Sequence, residues 1–212
     1  MDHQESLDPD FVIAAYRGGY FPMPDPVTNE ILWYNPDPRT IIPLDGFHVS
    51  RSLRQSAKRD SFQITFDNDF AGVVDGCAAR DQTWISEGIK QAYVRLYKRG
   101  VAHSVEVWNE AGLLVGGLYG LSQGGVFNAE SMFSRKTNAS KIALWALISR
   151  MKDCGLTLLE VQFMTEHLKT MGAIEIPRTD YLNLLEIALG KSAKFNGKSC
   201  LSSSLPAGVK AR

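Results

Sequence analysis

The sequence predicts an α+β domain built on a mixed, mostly antiparallel sheet with flanking helices. Three extended apolar segments, 102–108, 113–122 and 126–133, follow one another with only short turns between them. A helical pattern over 139–152 comes next, and a buried strand over 157–163 follows that helix. This order describes one central sheet whose last strand is reached through a helix.

The composition limits the class of protein. The chain has 212 residues and 44% hydrophobic content, which suits one domain over 1–190, and the Lys/Ser-rich segment 191–212 is predicted to be poorly ordered. No apolar run approaches the roughly 18 residues of a membrane span, and the N-terminus does not resemble a signal peptide, so a cytoplasmic protein is expected. Lys+Arg and Asp+Glu balance at 23 each, which argues against a general nucleic-acid coat. The histidines and cysteines lack ligand spacing, so no metal is expected.

The N-terminal third alternates helices with short extended segments. A helix is predicted over 8–18, and three prolines are expected to keep 20–26 irregular. Extended segments follow at 31–35 and 40–44. Ser50 and Ser86 are predicted to cap helices that reach Arg59 and Arg99, and the remaining predicted elements are a strand over 62–67 and helices over 69–78, 166–171 and 179–189.

A basic, hydroxyl-rich turn joins the third strand to the helix that follows it. Glu130 and Ser131 precede Arg135, and Asn138 or Ser140 can cap the helix. A strand that leads into a helix this way gathers backbone N–H groups and positive charge where a phosphate or polar reacting group can bind. An ordinary solvated turn explains the cations equally well, and Glu130 alone also fits a strand residue facing water.

Two further patterns concern the strands themselves. Gly116, Gly117 and Gly120 predict a bulge or a close backbone approach within the second strand. In the strand over 157–163, alternation predicts that Glu160 and Gln162 lie side by side on one face.

Several segments together resemble the leucyl/phenylalanyl-tRNA–protein transferases. The resemblance runs in order from Leu7 to Leu189. Its segments are Trp-Tyr-Asn-Pro-Asp-Pro-Arg (33–39), Phe-His-Val-Ser-Arg-Ser (47–52), Thr-Trp-Ile (83–85), His-Ser-Val-Glu-Val-Trp (103–108), Gly-Gly-Leu-Tyr-Gly (116–120), Glu-Ser-Met-Phe-Ser-Arg (130–135), Asn-Ala-Ser-Lys (138–141), Gly-Ala-Ile-Glu-Ile-Pro-Arg (172–178) and Asp-Tyr-Leu (180–182).

The resemblance implies an acetyltransferase-like (GNAT) fold and an aminoacyltransferase. Such enzymes move leucine or phenylalanine from aminoacyl-tRNA to the N-terminal Arg or Lys of an acceptor protein, and methionine is included here as a further donor. The transfer creates an N-degron of the N-end rule. The aminoacyl ester is already activated, so no cofactor is implied. The expected partners are aminoacyl-tRNA and acceptor proteins, without a membrane, and the expected state is a monomer.

The resemblance also implies the catalytic residues. Gln162 would accept a hydrogen bond from the attacking amine while the Glu160 carboxylate orients its amide, and Glu130 would lie near the aminoacyl-adenosine. Glu160 stands where the family has Asp. Both Glu160 and Gln162 also fit as satisfied polar residues, with binding geometry supplying most of the catalysis.

Binding residues are implied in the same way. Trp84, Met23, Ser131, Arg135 and Asn138 would bind the 3′ end of the aminoacyl-tRNA, although Met23 stands where the family has tryptophan. Six residues would form the aminoacyl side-chain pocket, and periodicity alone would assign them to the core: Leu118, Phe127, Met132, Leu144, Leu147 and Leu159. Most of the extra N-terminal segment of longer members is expected to be missing.

Two other functions remain open. An acyl-CoA N-acetyltransferase usually needs a glycine-rich turn for the pyrophosphate, and the turn over 135–140 has no glycine. A non-catalytic module that binds aminoacyl-tRNA or an N-degron would be consistent with the replacements at Met23 and Glu160.

Overall fold

The structure is a computed structural model that describes residues 7–25, 27–28, 30–79, 83–195 and 209–211. The helices are α1 (Pro9–Arg17), α2 (Arg51–Arg59), α3 (Phe70–Ala78), α4 (Glu87–Lys98), α5 (Ala139–Cys154), α6 (Glu166–Lys169) and α7 (Arg178–Leu189). The strands are β1 (Phe21–Pro24), β2 (Ile31–Tyr34), β3 (Arg39–Ile41), β4 (Gln63–Phe66), β5 (Ala102–Trp108), β6 (Leu114–Gln123), β7 (Val126–Ser134), β8 (Leu158–Glu160), β9 (Ile174–Ile176) and β10 (Lys210–Ala211).

The central sheet has eight strands in the order β10-β4-β5-β6-β7-β8-β3-β9. The pairs β10–β4 and β7–β8 are parallel, and the other pairs are antiparallel. Strands β5, β6 and β7 form the meander predicted from their short turns, and β8 is reached through α5. The prediction of an α+β fold with a mixed, mostly antiparallel sheet is confirmed.

Helices cover both faces of this sheet. The core on one face includes residues of α2 and α5, such as Leu53 and Leu147, and the core on the other includes residues of α1, α3 and α4. Helix α7 packs over β3, β7 and β8 through Tyr181 and Leu185. The predicted caps are present: the Ser50 and Ser86 hydroxyls accept hydrogen bonds from the third residues of α2 and α4.

The N-terminal region departs from the sequence prediction. Residues 20–26 were expected to be irregular because of their prolines, yet Phe21–Pro24 forms β1 and pairs antiparallel with β2. A proline can occupy an edge strand because it lacks only the donor that would face a further strand. The fully buried Phe21 anchors this two-stranded sheet to the domain.

The structure describes two parts of the C-terminal segment, 191–195 and 209–211. Phe195 is 2% exposed, and β10 pairs in parallel with β4. The remaining residues of the predicted tail, 196–208 and 212, lie outside the described residues. Within the described ranges, no helix combines the length and apolarity that a membrane crossing requires.

Strands β7 and β8 separate after a short parallel pairing, and this separation positions the candidate site. They pair only from Val126–Leu158 to Asn128–Glu160. Beyond that point β7 continues to Ser134, whereas the chain after Glu160 diverges from β7, stays hydrogen-bonded to Thr40 of β3, and places Gln162 in a left-handed conformation with φ 65°. A cleft therefore opens between the C-terminal ends of two parallel strands, where α5 also begins.

Candidate active site

A cavity of about 560 Å³ occupies this cleft. It is mainly apolar, with a few polar groups converging on it, which is the usual character of a ligand site. Its lining residues are Met23, Trp84, Leu118, Ala129, Glu130, Ser131, Met132, Phe133, Ser134, Ser140, Leu144, Val161, Gln162, Phe163, Thr165, His167 and Leu168.

Glu130 reaches the cavity because β7 contains a bulge. Tyr119 of β6 pairs with Ser131 and Gly120 pairs with Ala129, so Glu130 is the extra residue between them. A bulge changes the direction of a side chain within a strand. Gly120 permits it, since a Cβ at that position would clash with the carbonyl oxygen of Asn128. The glycines predicted a bulge or a close backbone approach within β6, whereas the extra residue of this bulge lies in β7; the extra residue within β6 is Val115, opposite β5.

Glu130 lies at the centre of a buried hydrogen-bond network. Its Oε1 accepts from the hydroxyl of Tyr16 at 2.7 Å, and its Oε2 accepts from Nε2 of Gln162 at 2.9 Å. The hydroxyls of Tyr16 and Tyr93 lie 2.8 Å apart. Helices α1 and α4 thus hold one side of the carboxyl group, and the segment after β8 holds the other.

Burial raises the pKa of Glu130 to about 8, opposed in part by the hydrogen bond from Tyr16 and reinforced by the charge of Glu160. At pH 7 the carboxyl is therefore mainly neutral in the unliganded protein. Burial also raises the pKa values of Tyr16 and Tyr93 well above their ordinary value, so both remain protonated. A bound cation such as an ammonium group would favour the ionised form of Glu130.

Gln162 presents its amide to the cavity from an unusual backbone conformation. Its Nε2 donates to Glu130, so its carbonyl oxygen is the part of the amide that can accept from a substrate amine. Alternation had predicted that Glu160 and Gln162 share a strand face. That prediction is wrong, because β8 ends at Glu160 and Gln162 is left-handed.

Glu160 is fully buried behind the cavity and does not line it. Its Oε1 accepts from Nε of Arg39 at 2.9 Å and from the backbone N–H of Gln162, and its Oε2 accepts from Nδ2 of Asn128 at 3.0 Å. Instead of orienting the side-chain amide of Gln162, Glu160 contacts the backbone of that residue.

The other predicted residues divide into three groups. Trp84, Met23, Ser131, Leu118, Met132 and Leu144 line the cavity with Glu130 and Gln162. Phe127, Leu147 and Leu159 are buried in the core instead. Arg135 is exposed, donates to the carbonyl of Leu114 and lies over the ring of Phe133, and Asn138 is the left-handed N-cap residue of α5.

Sequence reasoning missed the segment after β8. Phe163, Thr165, His167 and Leu168 line the cavity from this segment and α6. Burial and the neighbouring charge of Lys141 lower the pKa of His167. The available signal was an N-cap pattern, because the hydroxyl of Thr165 caps α6. Among the residues that the structure describes, no group of three or more His, Cys, Asp or Glu could hold a metal.

Two solved structures resemble this chain at low sequence identity. The structure of L-PGS from Bacillus licheniformis is 15% identical with a TM-score of 0.44, and the match covers 76% of this chain and 55% of that one. The C-terminal domain of a putative lysylphosphatidylglycerol synthetase from Agrobacterium fabrum is 9% identical with a TM-score of 0.40, covering 87% and 59% of the two chains.

Sequence comparisons are much closer. The family model for leucyl/phenylalanyl-tRNA protein transferase matches residues 41–186, and the model for its N-terminal domain matches residues 5–37. Transferases with this name are 47% identical in Ruegeria pomeroyi, covering 90% of each chain, and 50% identical in Roseobacter denitrificans, covering 89% of this chain and 90% of the relative. The relative in Herpetosiphon aurantiacus is 48% identical over 89% of this chain and 98% of its own length. The chain therefore belongs to the leucyl/phenylalanyl-tRNA–protein transferase family.

Proposed function

We propose that this aminoacyltransferase moves leucine, phenylalanine or methionine from aminoacyl-tRNA to the N-terminal Arg or Lys of a cytoplasmic acceptor protein. The product would be an N-degron of the N-end rule, and the domain over 1–190 would act as a monomer on an acetyltransferase-like (GNAT) scaffold. The observation that carries the proposal is the contact between Gln162 and Glu130 at an apolar cavity.

The cavity suits two parts of the donor, its aminoacyl side chain and its terminal adenine. Leu118, Met132 and Leu144 supply an apolar slot for an aminoacyl side chain, and Trp84 supplies a ring on which the terminal adenine can stack. Met23 lines the same cavity, where the family has a second tryptophan. Ser131, Arg135 and Asn138 are the proposed contacts for the ribose and phosphates. Glu130 lies where it can bind the ammonium group of the donor or a ribose hydroxyl.

The reaction is aminolysis of an ester. The α-amino nitrogen of the acceptor attacks the carbonyl carbon, the bond to the 3′-oxygen of the tRNA breaks, and the amine proton is balanced by protonation of that oxygen. An α-amino group has a pKa of about 7.7–8.0, so about a tenth to a sixth of it is neutral at pH 7. The carbonyl oxygen of Gln162 would accept a hydrogen bond from this amine and orient it, and positioning then supplies much of the rate.

Transfer of radiolabelled leucine from leucyl-tRNA tests this function directly. The acceptors are model proteins that differ only in beginning with Arg, Lys, Asp or Met. We expect transfer to Arg and Lys, and we expect Glu130→Ala and Gln162→Ala to lose transfer while they remain folded. Glu110→Ala, in the turn between β5 and β6, is the matched carboxylate control.

Other results would change the conclusion. Transfer only to the acceptor that begins with Asp would mean that the proposed donor site is correct and that the acceptor specificity is not Arg or Lys. Tight binding of leucyl-tRNA without turnover would identify a binding module, and wild-type rates in both variants would remove Glu130 and Gln162 from the site.

A further inference from the structure

A buried charge pair lies directly behind the cavity. Arg39 is the first residue of β3 and Glu160 is the last residue of β8, and the side chains of both are 0% exposed. Nε of Arg39 lies 2.9 Å from Oε1 of Glu160. Neither residue lines the cavity, so the pair acts on the site only through other residues.

The guanidinium group of Arg39 is held by groups from several elements of the fold. Its Nη1 donates to the carbonyl of Gly19 at 2.8 Å, and its planar group lies 4.7 Å from the ring centroid of Phe21 and 4.5 Å from that of Tyr181. Together with Glu160, these contacts come from the loop after α1, from β1, from α7 and from β8. A planar guanidinium group held in this way has little freedom to move.

The carboxylate that Arg39 contacts holds the backbone of Gln162. Oε1 of Glu160 accepts both from Nε of Arg39 and from the backbone N–H of Gln162. Gln162 has φ 65°, a conformation that residues with a Cβ rarely adopt, so surrounding contacts must maintain it. The same residue then directs Nε2 to Oε2 of Glu130. The contacts form one continuous chain from Arg39 to the floor of the cavity.

We propose that Arg39 is a positioning residue for aminoacyl transfer: it fixes the carboxylate of Glu160, which holds the Gln162 backbone and aims its amide at the reacting amine. This inference rests on the proposed function. Arg39 touches neither substrate, and its effect should fall on the rate of the bound complex. The donor contacts at Trp84 and Leu144 are left intact.

The first variant is Arg39→Lys. Lysine keeps the charge, but one ammonium group cannot reproduce a planar fork that contacts Glu160 and Gly19 together. We expect kcat to fall about 10²-fold because the amide of Gln162 is misplaced. We expect KM for leucyl-tRNA to stay within about threefold, because binding common to ground and transition states is unchanged. Arg150→Lys is the matched control, since Arg150 packs on Phe66 and Phe195 in a different part of the core.

Introducing Arg39→Lys into Gln162→Ala shows whether the substitution acts through Gln162 or by disturbing the fold as a whole. If Arg39 acts through Gln162, Arg39→Lys should slow the wild type but cause no further loss of the residual transfer in Gln162→Ala, followed with enzyme in excess over leucyl-tRNA, because coupled residues are non-additive. The double variant Arg39→Met/Glu160→Met replaces the pair with apolar side chains, a change that often preserves stability. Here the change leaves Asn128, the Gln162 N–H and the Gly19 carbonyl without their partners, so the variant should unfold below the wild-type temperature, yet it should be folded at 25 °C and lose kcat.

The outcomes are distinguishable. An equal fractional loss in the wild type and in Gln162→Ala would overturn the inference, as would wild-type kcat in a folded Arg39→Met/Glu160→Met. If the double variant does not fold, the comparison of Arg39→Lys in the wild type and in Gln162→Ala decides whether Arg39 acts through Gln162. Absence of transfer by the wild-type protein would refute the proposed function instead.

Discussion

The amide nitrogen of Gln162 donates to the carboxyl oxygen of Glu130 at 2.9 Å, although β7, which carries Glu130, and the segment after β8, which carries Gln162, no longer pair. Two backbone irregularities allow the contact. A bulge turns Glu130 out of the regular alternation of β7, and a left-handed conformation turns Gln162 back toward it. The contact therefore depends on local departures from strand geometry on both sides of the cleft.

The substitution Glu130→Gln should change how stability depends on pH. The pKa of Glu130 rises from 4.5 to about 8 on folding, chiefly through burial, so the native protein retains a proton that the unfolded chain releases. The free energy of unfolding should therefore fall as pH rises from about 4.5 to about 8, by on the order of a few kcal/mol. Glu130→Gln should remove this fall. Urea unfolding at intervals from pH 5 to 9 measures it.

Glu110→Gln is the control for this experiment, because it changes an exposed carboxylate in a turn. It should retain the wild-type pH dependence. The same slope in Glu130→Gln and in the wild type would show that Glu130 does not hold the extra proton, and Glu106, whose pKa burial also raises, would be the carboxyl to substitute next.

Sequence patterns predicted the sheet and its helices because regular elements bury one face at a regular period. The meander β5–β7 and helix α5 follow directly from such patterns, whereas the glycines of β6 did not show that the bulged residue opposite Gly120 lies in β7. The conformation of Gln162 could not be predicted in this way. Alternation assumes that a strand continues, whereas β8 ends at Glu160, where its pairing with β7 stops.

The sequence also could not show which apolar residues line the cavity and which lie in the core. Leu144 and Leu147 are apolar, nearly fully buried residues of the same helix, and both satisfy the same periodicity. Only the positions of neighbouring elements decide that Leu144 lines the cavity and Leu147 does not. Phe195 is a similar case, since one aromatic residue in a Lys/Ser-rich segment carries no periodic signal.

Comparison of Leu144→Ala with Leu147→Ala should distinguish a residue of the aminoacyl pocket from a residue of the core. Each removes a buried leucine side chain, so each should destabilise the protein by about 2–5 kcal/mol. Only Leu144→Ala should enlarge the slot for the aminoacyl side chain. We expect it to raise the ratio of kcat/KM for phenylalanyl-tRNA over leucyl-tRNA about 10-fold or more, within the range that one or two methylene groups provide. Competition between the two donors in one reaction gives this ratio.

Leu147→Ala serves as the control in that comparison, and its donor ratio should equal that of the wild type. An equal change in both variants would mean that loosening of the core, and not the shape of the slot, sets the preference. An unchanged ratio in Leu144→Ala would place the aminoacyl side chain elsewhere in the cavity.

Trp84→Ala should weaken donor binding more than it slows the reaction. Stacking of a base on an aromatic ring contributes about 1–3 kcal/mol, so KM for leucyl-tRNA should rise about 5- to 150-fold at nearly constant kcat. Met23→Trp adds a second ring to the same cavity and should lower KM. Steady-state transfer with varied leucyl-tRNA measures both. A fall in kcat without a rise in KM in Trp84→Ala would contradict a stacking role.

Phe195→Ala should destabilise the fold without altering the site. The ring of Phe195 is 2% exposed, and its centroid lies 5.3 Å from that of Phe127 and 6.0 Å from that of Phe66. Its removal should cost about 3–5 kcal/mol, whereas Leu113→Ala, at a side chain that is 63% exposed, should cost less than about 0.5 kcal/mol. Urea unfolding measures both, and kcat at 25 °C should remain near the wild-type value. A cost below 1 kcal/mol in Phe195→Ala would mean that this segment does not pack on the core in solution.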